Sequence, residues 1–174
     1  MGTHARVAIG LRRLGAAFAV VASCASVAFA QGAAPSNREA LEGVSEMKIA
    51  FDITEGNPKG LLARLNVIDV TRRQLIAEGV TPRIVLAFRG DASYFTQSDL
   101  SAVKAEDQPA GRLVGSKIRE LREAAGVESV VQCALPLPAR KLSHQSVMPE
   151  VKVVGNGWIT LVAYQQKGYA YIAP

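Results

Sequence analysis

KIAFDITEGNPKGLLARLNVIDVTRRQLIAEGVTPRIVLAF, residues 48–88, reads as strand, helix and strand in one continuous run. Lys48 to Ile53 is a compact strand pattern that stops at Thr54-Glu-Gly-Asn-Pro58. Asn57 can accept hydrogen bonds from first-turn amides, and Pro58 suits the first helical position because its missing N–H is not needed there. Leu61, Leu65, Ile68, Leu75 and Ile76 keep one helical face as far as Gly79, which suits a C-terminal cap. Arg83 to Phe88 is a continuous apolar strand, the kind found where both faces of a sheet are covered.

Working towards the C-terminus, the pattern repeats. Asp91 to Gly111 is polar and irregular, with one helical turn expected at Ser98–Lys104; loops of this length are often functional or interfacial. Val114, Ile118, Leu121 and Ala125 then fall at helical spacing before Gly126. Ser129 to Ala134 is a third strand, and Pro136 and Pro138 break the chain before a short helix at Leu142–Val147. Val151–Val154 is a fourth strand, Trp158–Lys167 a helix, and Tyr169–Ile172 a fifth strand. Strands alternating with helices imply a single three-layer α/β domain: a mainly parallel five-stranded sheet with helices on both faces.

Working towards the N-terminus, residues 1–30 carry Arg6, Arg12 and Arg13 and no acid, then the run LGAAFAVVASCASVAFA closing on Ala28-Phe29-Ala30. This order of basic, apolar and small-residue regions is that of a secretory signal peptide, so residues 1–30 are expected to be removed on export to the periplasm. Val21-Ala22-Ser23-Cys24 offers a rival reading as a lipoprotein box with a lipid on Cys24, and the seventeen uncharged residues from Leu14 to Ala30 offer another as an uncleaved anchor. Residues 31–46, with Gly, Ala, Pro, Ser and Asn, read as a flexible tether, which leaves 47–174 as the folded domain.

Export changes the arithmetic. The whole chain has a formal charge of +5, but removing residues 1–30 leaves 144 residues with 17 basic and 15 acidic side chains, formally +2. Nucleic-acid binding and stable membrane insertion are therefore not expected of the mature chain. Cys133 and His144 become its lone cysteine and lone histidine, which argues against a soft-metal site or a redox pair of cysteines. No cofactor motif is present; Gly56-Asn-Pro-Lys-Gly60 lies where phosphates can bind, but helix capping accounts for it.

In parallel α/β sheets ligands gather beyond the carboxyl ends of the strands. That nominates a rim of Asp52, Thr54 and Glu55, then Arg89 to Asp91, then Cys133, then Gly155 and Asn156. Asp52, Glu55 and Asp91 could act as acid and base only if two of them meet, and solvated rim positions are the default. Cys133 is the sharpest candidate: a lone thiol in an oxidising compartment is either reactive, an intermolecular disulfide or a small buried hydrophobe. His144 is an alternative activating base, with a surface histidine as the plainer reading. Tyr94 and Phe95 suit a pocket lining or a subunit contact, the contact being preferred; Trp158, Tyr164, Tyr169 and Tyr171 point to core or interface, the last two on one face of their strand.

The stretches Val130-Val-Gln-Cys133, Leu142-Ser143 to Met148-Pro-Glu-Val151, Val153-Val-Gly-Asn-Gly157 and Tyr164 to Ile172, with Phe51-Asp-Ile-Thr-Glu-Gly56, resemble the DsrE/DsrF-like family, specifically its exported members. The resemblance covers residues 47–174. It implies a DsrE-like domain assembling as a homotrimer or homohexamer, with Cys133 as a persulfide-forming sulfur carrier serving a sulfur donor or an acceptor thiol. Thr54, Arg89 and Asn156 would bind the transferred group or the donor anion. The alternative is a non-catalytic oligomeric accessory protein with a structural cysteine.

Overall fold

The computed structural model describes residues 35–174, so the segment read as a signal peptide and the start of the one read as a tether lie outside the described residues. The compact unit Ser36–Pro174 contains β1 (Glu46–Ile53), α1 (Pro58–Ala77), β2 (Thr81–Phe88), α2 (Gln108–Glu123), β3 (Val127–Cys133), α3 (Pro136–Ala139), β4 (Lys152–Val154), α4 (Gly157–Gln166) and β5 (Ala170–Ile172). The sheet runs β4-β3-β2-β1-β5 and every pairing is parallel. This is the α/β architecture expected.

The pleat sorts the side chains into two layers. Ile49, Phe51 and Ile53 of β1, Ile84, Leu86 and Phe88 of β2 and Val130 of β3 form the larger core with Leu61, Leu65 and Ile68 of α1 and Val114, Ile118 and Leu121 of α2. The intervening residues Ala50, Val85, Ala87 and Val131 face the other way, against Leu161 of α4 and Tyr169. That second face is lined with smaller side chains, which lets α4 lie close to the strands.

Several local expectations change. Pro136 does not break the chain: it takes the first position of α3, where no N–H is required. The helix expected at Leu142–Val147 is only a 3-10 turn at His144–Ser146. The irregular stretch after β2 begins with a 3-10 helix, Gly90–Thr96, that is folded into the core rather than held out as an interface. Phe95 is buried against Gly111 of α2, so its assignment to a subunit contact gives way to core packing; Tyr94 is half-buried. Leu41 and Val44 also pack on the larger core, attaching the end of the segment read as a tether.

α1 and α2 are joined by a charged cluster. Asp69 accepts hydrogen bonds from Arg72 Nε and Nη2 at 3.0 and 2.8 Å and from Lys117 Nζ at 3.0 Å. Its side chain is 7% exposed, Lys117's 11% and Arg72's 12%. Burial pushes the Asp69 carboxyl up, but the hydrogen bonds from Lys117 and Arg72 outweigh it and hold it below its ordinary value. Asp69→Asn removes the carboxylate shared by Arg72, Arg73 and Lys117, leaving Lys117 only Glu120, and is expected to cost about 2–4 kcal/mol in urea unfolding at neutral pH. Because the folded carboxyl titrates below the unfolded one, that contribution is complete above about pH 4 and fades as pH falls further, so the gap between wild type and variant should narrow in acid.

Candidate functional site

Strand alternation decides which rim residues can meet. On β1 Asp52 follows Ala50 in alternation, on β2 Arg89 follows Val85 and Ala87, and on β3 Cys133 follows Val131, so all three face α4. Arg89 extends the β2 pairing, its N–H donating to the Ile53 carbonyl at 3.0 Å. The adjoining positions, Ile53, Phe88 and Gln132, face the opposite layer.

Asp52 is 3% exposed, so its charge must be met inside the protein. Arg89 Nε and Nη2 donate to its two carboxylate oxygens, and the Tyr171 hydroxyl donates to Oδ2 at 2.6 Å. These hydrogen bonds to Asp52 hold both the Arg89 guanidinium and the Tyr171 phenol above their ordinary pKa values. The Arg89 guanidinium carbon lies 5.6 Å from the Trp158 ring centroid, within range of a cation–π contact. Three strands thus converge on one arginine at the carboxyl edge.

Cys133 ends β3 and is 4% exposed. The first N–H of α4, from Gly157, donates to its Sγ at 3.1 Å. The sulfur thus meets a hydrogen-bond donor at the N-terminal end of a helix. A Cβ at residue 157 would sit 3.0 Å from Cys133 Cβ and 3.4 Å from Sγ, so the approach needs glycine. Asn156 caps the same helix, its Oδ1 accepting from the Trp158 N–H at 2.9 Å.

From the other layer Gln132, fully buried, anchors the cysteine's backbone. Its Nε2 donates to the Cys133 carbonyl at 2.7 Å and to Ser93 Oγ at 2.8 Å, and its Oε1 accepts from Thr96 Oγ1 at 2.7 Å. A satisfied buried network of this kind restrains the strand end that carries the thiol.

Arg89, Gly90, Cys133, Leu135, Pro136, Asn156 and Trp158 line one cavity of about 300 Å³. Of the rim residues nominated from sequence, it brings together Arg89, Cys133 and Asn156, with Asp52 supporting Arg89. Thr54 is exposed and is not among the residues that line it, though it lies beside Gly90, which does. The three carboxylates do not meet: Asp52 pairs with Arg89, Glu55 with Arg64 and Asp91 with Arg140. His144 is exposed and outside the cavity, as the surface reading has it. Trp158 is not core packing; it is 64% exposed at the cavity wall. At α1, Asn57 Oδ1 accepts from the Lys59 and Gly60 N–H groups at 3.0 Å, so its Gly-Asn-Pro-Lys-Gly start is capped by its own side chain.

Among the described residues no group of three His, Cys, Asp or Glu side chains could hold a metal ion, and no helix is long and apolar enough to cross a membrane. Sequence reasoning missed Gly157, Gln132, Trp158 and Tyr171 as parts of the site. Two carried usable signals: a glutamine within the apolar run Val130-Val-Gln-Cys133 demands a partner, and a glycine after a capping asparagine marks a close approach.

A parallel α/β domain with one strand-end thiol under a helix N-terminus is the class that fold and site define. The DsrE/DsrF-like family model matches residues 25–174, and the chain belongs to that family. A protein of Aquifex aeolicus (strain VF5), described as uncharacterized, is 30% identical over 128 residues. That match covers 74% of this chain and 56% of the relative, so the chain spans little more than half of the relative's length. The solved structure of a protein of unknown function from Methanobacterium thermoautotrophicum shares the fold, with a TM-score of 0.56 and 22% identity over 74% of this chain and 99% of that one.

Gly157→Ala is expected to push Cys133 aside and lengthen the N–H to sulfur contact. The rate of alkylation by iodoacetamide should fall by roughly tenfold while circular dichroism stays that of the folded domain.

Proposed function

We propose that this protein is a periplasmic carrier of sulfane sulfur that works through a Cys133 persulfide. The observation that carries this reading is the lone described cysteine beside a cavity, with Sγ accepting the Gly157 N–H and Arg89 lining the same space. The Cys133 thiolate attacks the outer sulfur of a donor; the donor's S–S bond breaks and its electron pair leaves with the departing thiolate. The resulting Cys133–S–S⁻ is held by the donor N–H of α4. An acceptor thiolate then attacks the outer sulfur and releases the Cys133 thiolate, so no net oxidant or reductant is consumed. Exported sequence character at residues 1–30 supports the periplasmic part of the proposal. Incubation with inorganic polysulfide should give a cyanide-labile mass gain of one sulfur atom on wild type and none on Cys133→Ser. Absence of that species on wild type would sink the carrier reading.

Assembly as a homotrimer or homohexamer is part of the same proposal. α4 covers the sheet with Leu161, yet its outer side shows Trp158, Ile159 and Val162 at 64%, 68% and 55% exposure. A helix apolar on both sides belongs between two surfaces. Ile159→Glu combined with Val162→Lys is expected to convert the assembly to monomer, read by light scattering after gel filtration. An unchanged mass would remove α4 from the interface.

A second reading, a non-catalytic accessory protein, draws on the 4% exposure of Cys133. It expects the thiol to resist alkylation in the folded protein and Cys133→Ala to keep cellular function.

A further inference from the structure

A second cavity, of about 450 Å³, lies between the start of α1, the 3-10 helix Gly90–Thr96 and the turn that leads into α2. It shares no lining residue with the cavity at Cys133. Phe95 and Val103 give it an apolar side continuous with the larger core. Asp91, Lys104, Asp107 and Tyr94 supply polar groups, and each keeps an atom that nothing in the protein uses. Arg140 Nε and Nη2 both donate to Asp91 Oδ1, at 2.9 and 2.6 Å, which leaves Oδ2 without a partner among the described residues. A Cβ on residue 56 would stand 2.6 Å from Asp91 Cβ and 3.5 Å from Oδ2, so glycine is what lets this carboxylate stand at the cavity wall.

Asp107 occupies the N-cap of α2, yet its side chain makes no capping hydrogen bond, the use to which an aspartate there is ordinarily put. Lys104 stands at the other end of the same turn, its carbonyl accepting from the Asp107 N–H at 2.9 Å. Even so, among the described residues no ion pair joins Lys104 to Asp107 or to Asp91, whose charge Arg140 already balances. The wall therefore presents one uncompensated anion and one uncompensated cation, held apart from each other. An ion of single charge would match one of them and face its like in the other, whereas a molecule carrying both signs satisfies both. Its two charges must also be spaced. In an α-amino acid they share one carbon, and a further residue adds about 3.5 Å of reach. The cavity is of the size that encloses small organic ligands, with an apolar side and a few placed polar groups.

We infer that this second cavity binds a small zwitterion of dipeptide size. Asp107, with Asp91 Oδ2, takes its ammonium end, Lys104 takes its carboxylate, and an aliphatic side chain lies against Phe95 and Val103. The Tyr94 hydroxyl, also without a partner among the described residues, is left for the polar link between the two ends. The site is distinct from the thiol, and the inference stands apart from the carrier reading.

Calorimetric titration of the protein with glycyl-L-leucine at neutral pH and low salt tests this. Wild type should bind one equivalent saturably, and blocking either end of the peptide, as N-acetyl-glycyl-leucine or as glycyl-leucine amide, should weaken binding by about tenfold. The variants separate the two ends. Lys104→Gln should bind the free peptide about tenfold more weakly and no longer distinguish it from the amide, while still rejecting the acetylated form. Asp107→Asn should show the reverse pattern. Because each variant is compared with itself across three ligands, a general loss of structure cannot imitate this result. Cys133→Ser should bind as wild type does. The inference is overturned if wild type does not bind glycyl-L-leucine saturably, if end-blocking has no effect, if the two variants respond alike to both blocked peptides, or if Cys133→Ser abolishes binding.

Discussion

Every strand residue in this domain has to face one of two layers, and the pleat leaves no third choice. Because β1, β2 and β3 are parallel and in fixed register, the faces are assigned together: Ile53, Phe88 and Gln132 to the α1–α2 layer, Asp52, Arg89 and Cys133 to the α4 layer. A slip of one residue in any strand would exchange these sets and bury Arg89 among leucines. The site is thus a by-product of the same alternation that builds the two cores. The smaller Ala50 and Ala87 on the α4 side then let the helix come near enough for Gly157 to reach sulfur.

The two layers divide the labour around the thiol. From one side the Gln132, Ser93 and Thr96 network restrains the backbone at Cys133 through hydrogen bonds that water cannot compete for. From the other, Asp52 and Trp158 hold Arg89 where it lines the cavity. The buried carboxylate draws its arginine close, and the aromatic ring limits where the guanidinium can turn.

Much of this was legible before any coordinates. The five strands, their parallel sense and the rim at their carboxyl ends follow from apolar spacing and the caps at Asn57 and Gly79, because those signals are local. Cys133 and Arg89 were nominated by the rim rule alone. What was not legible depends on approach between distant segments. Thr54 and Arg89 look alike as residues just past a strand, yet only Arg89 has a buried partner across the sheet. Phe95 was read as a contact and is buried, while Trp158, read as core or interface, is exposed, since an aromatic in a polar stretch gives no sign of which layer will cover it. The prolines after Cys133 were read as a break when Pro136 begins a turn of helix; a missing N–H serves either purpose.

The order of the strands has a consequence for how the chain becomes folded. β1 is the first strand and β5 the last, yet they lie side by side, and Tyr171 bonds to Asp52 across 119 residues of sequence. The sheet edge beside Asp52 therefore stays open until β5 has emerged, and the carboxylate waits with Arg89 as its counterpart. Contacts of such long sequence separation close late and slowly. A nascent chain truncated before β5 would hold most of its core and still lack the finished edge of its site, so the arginine's setting is complete only once β5 has docked.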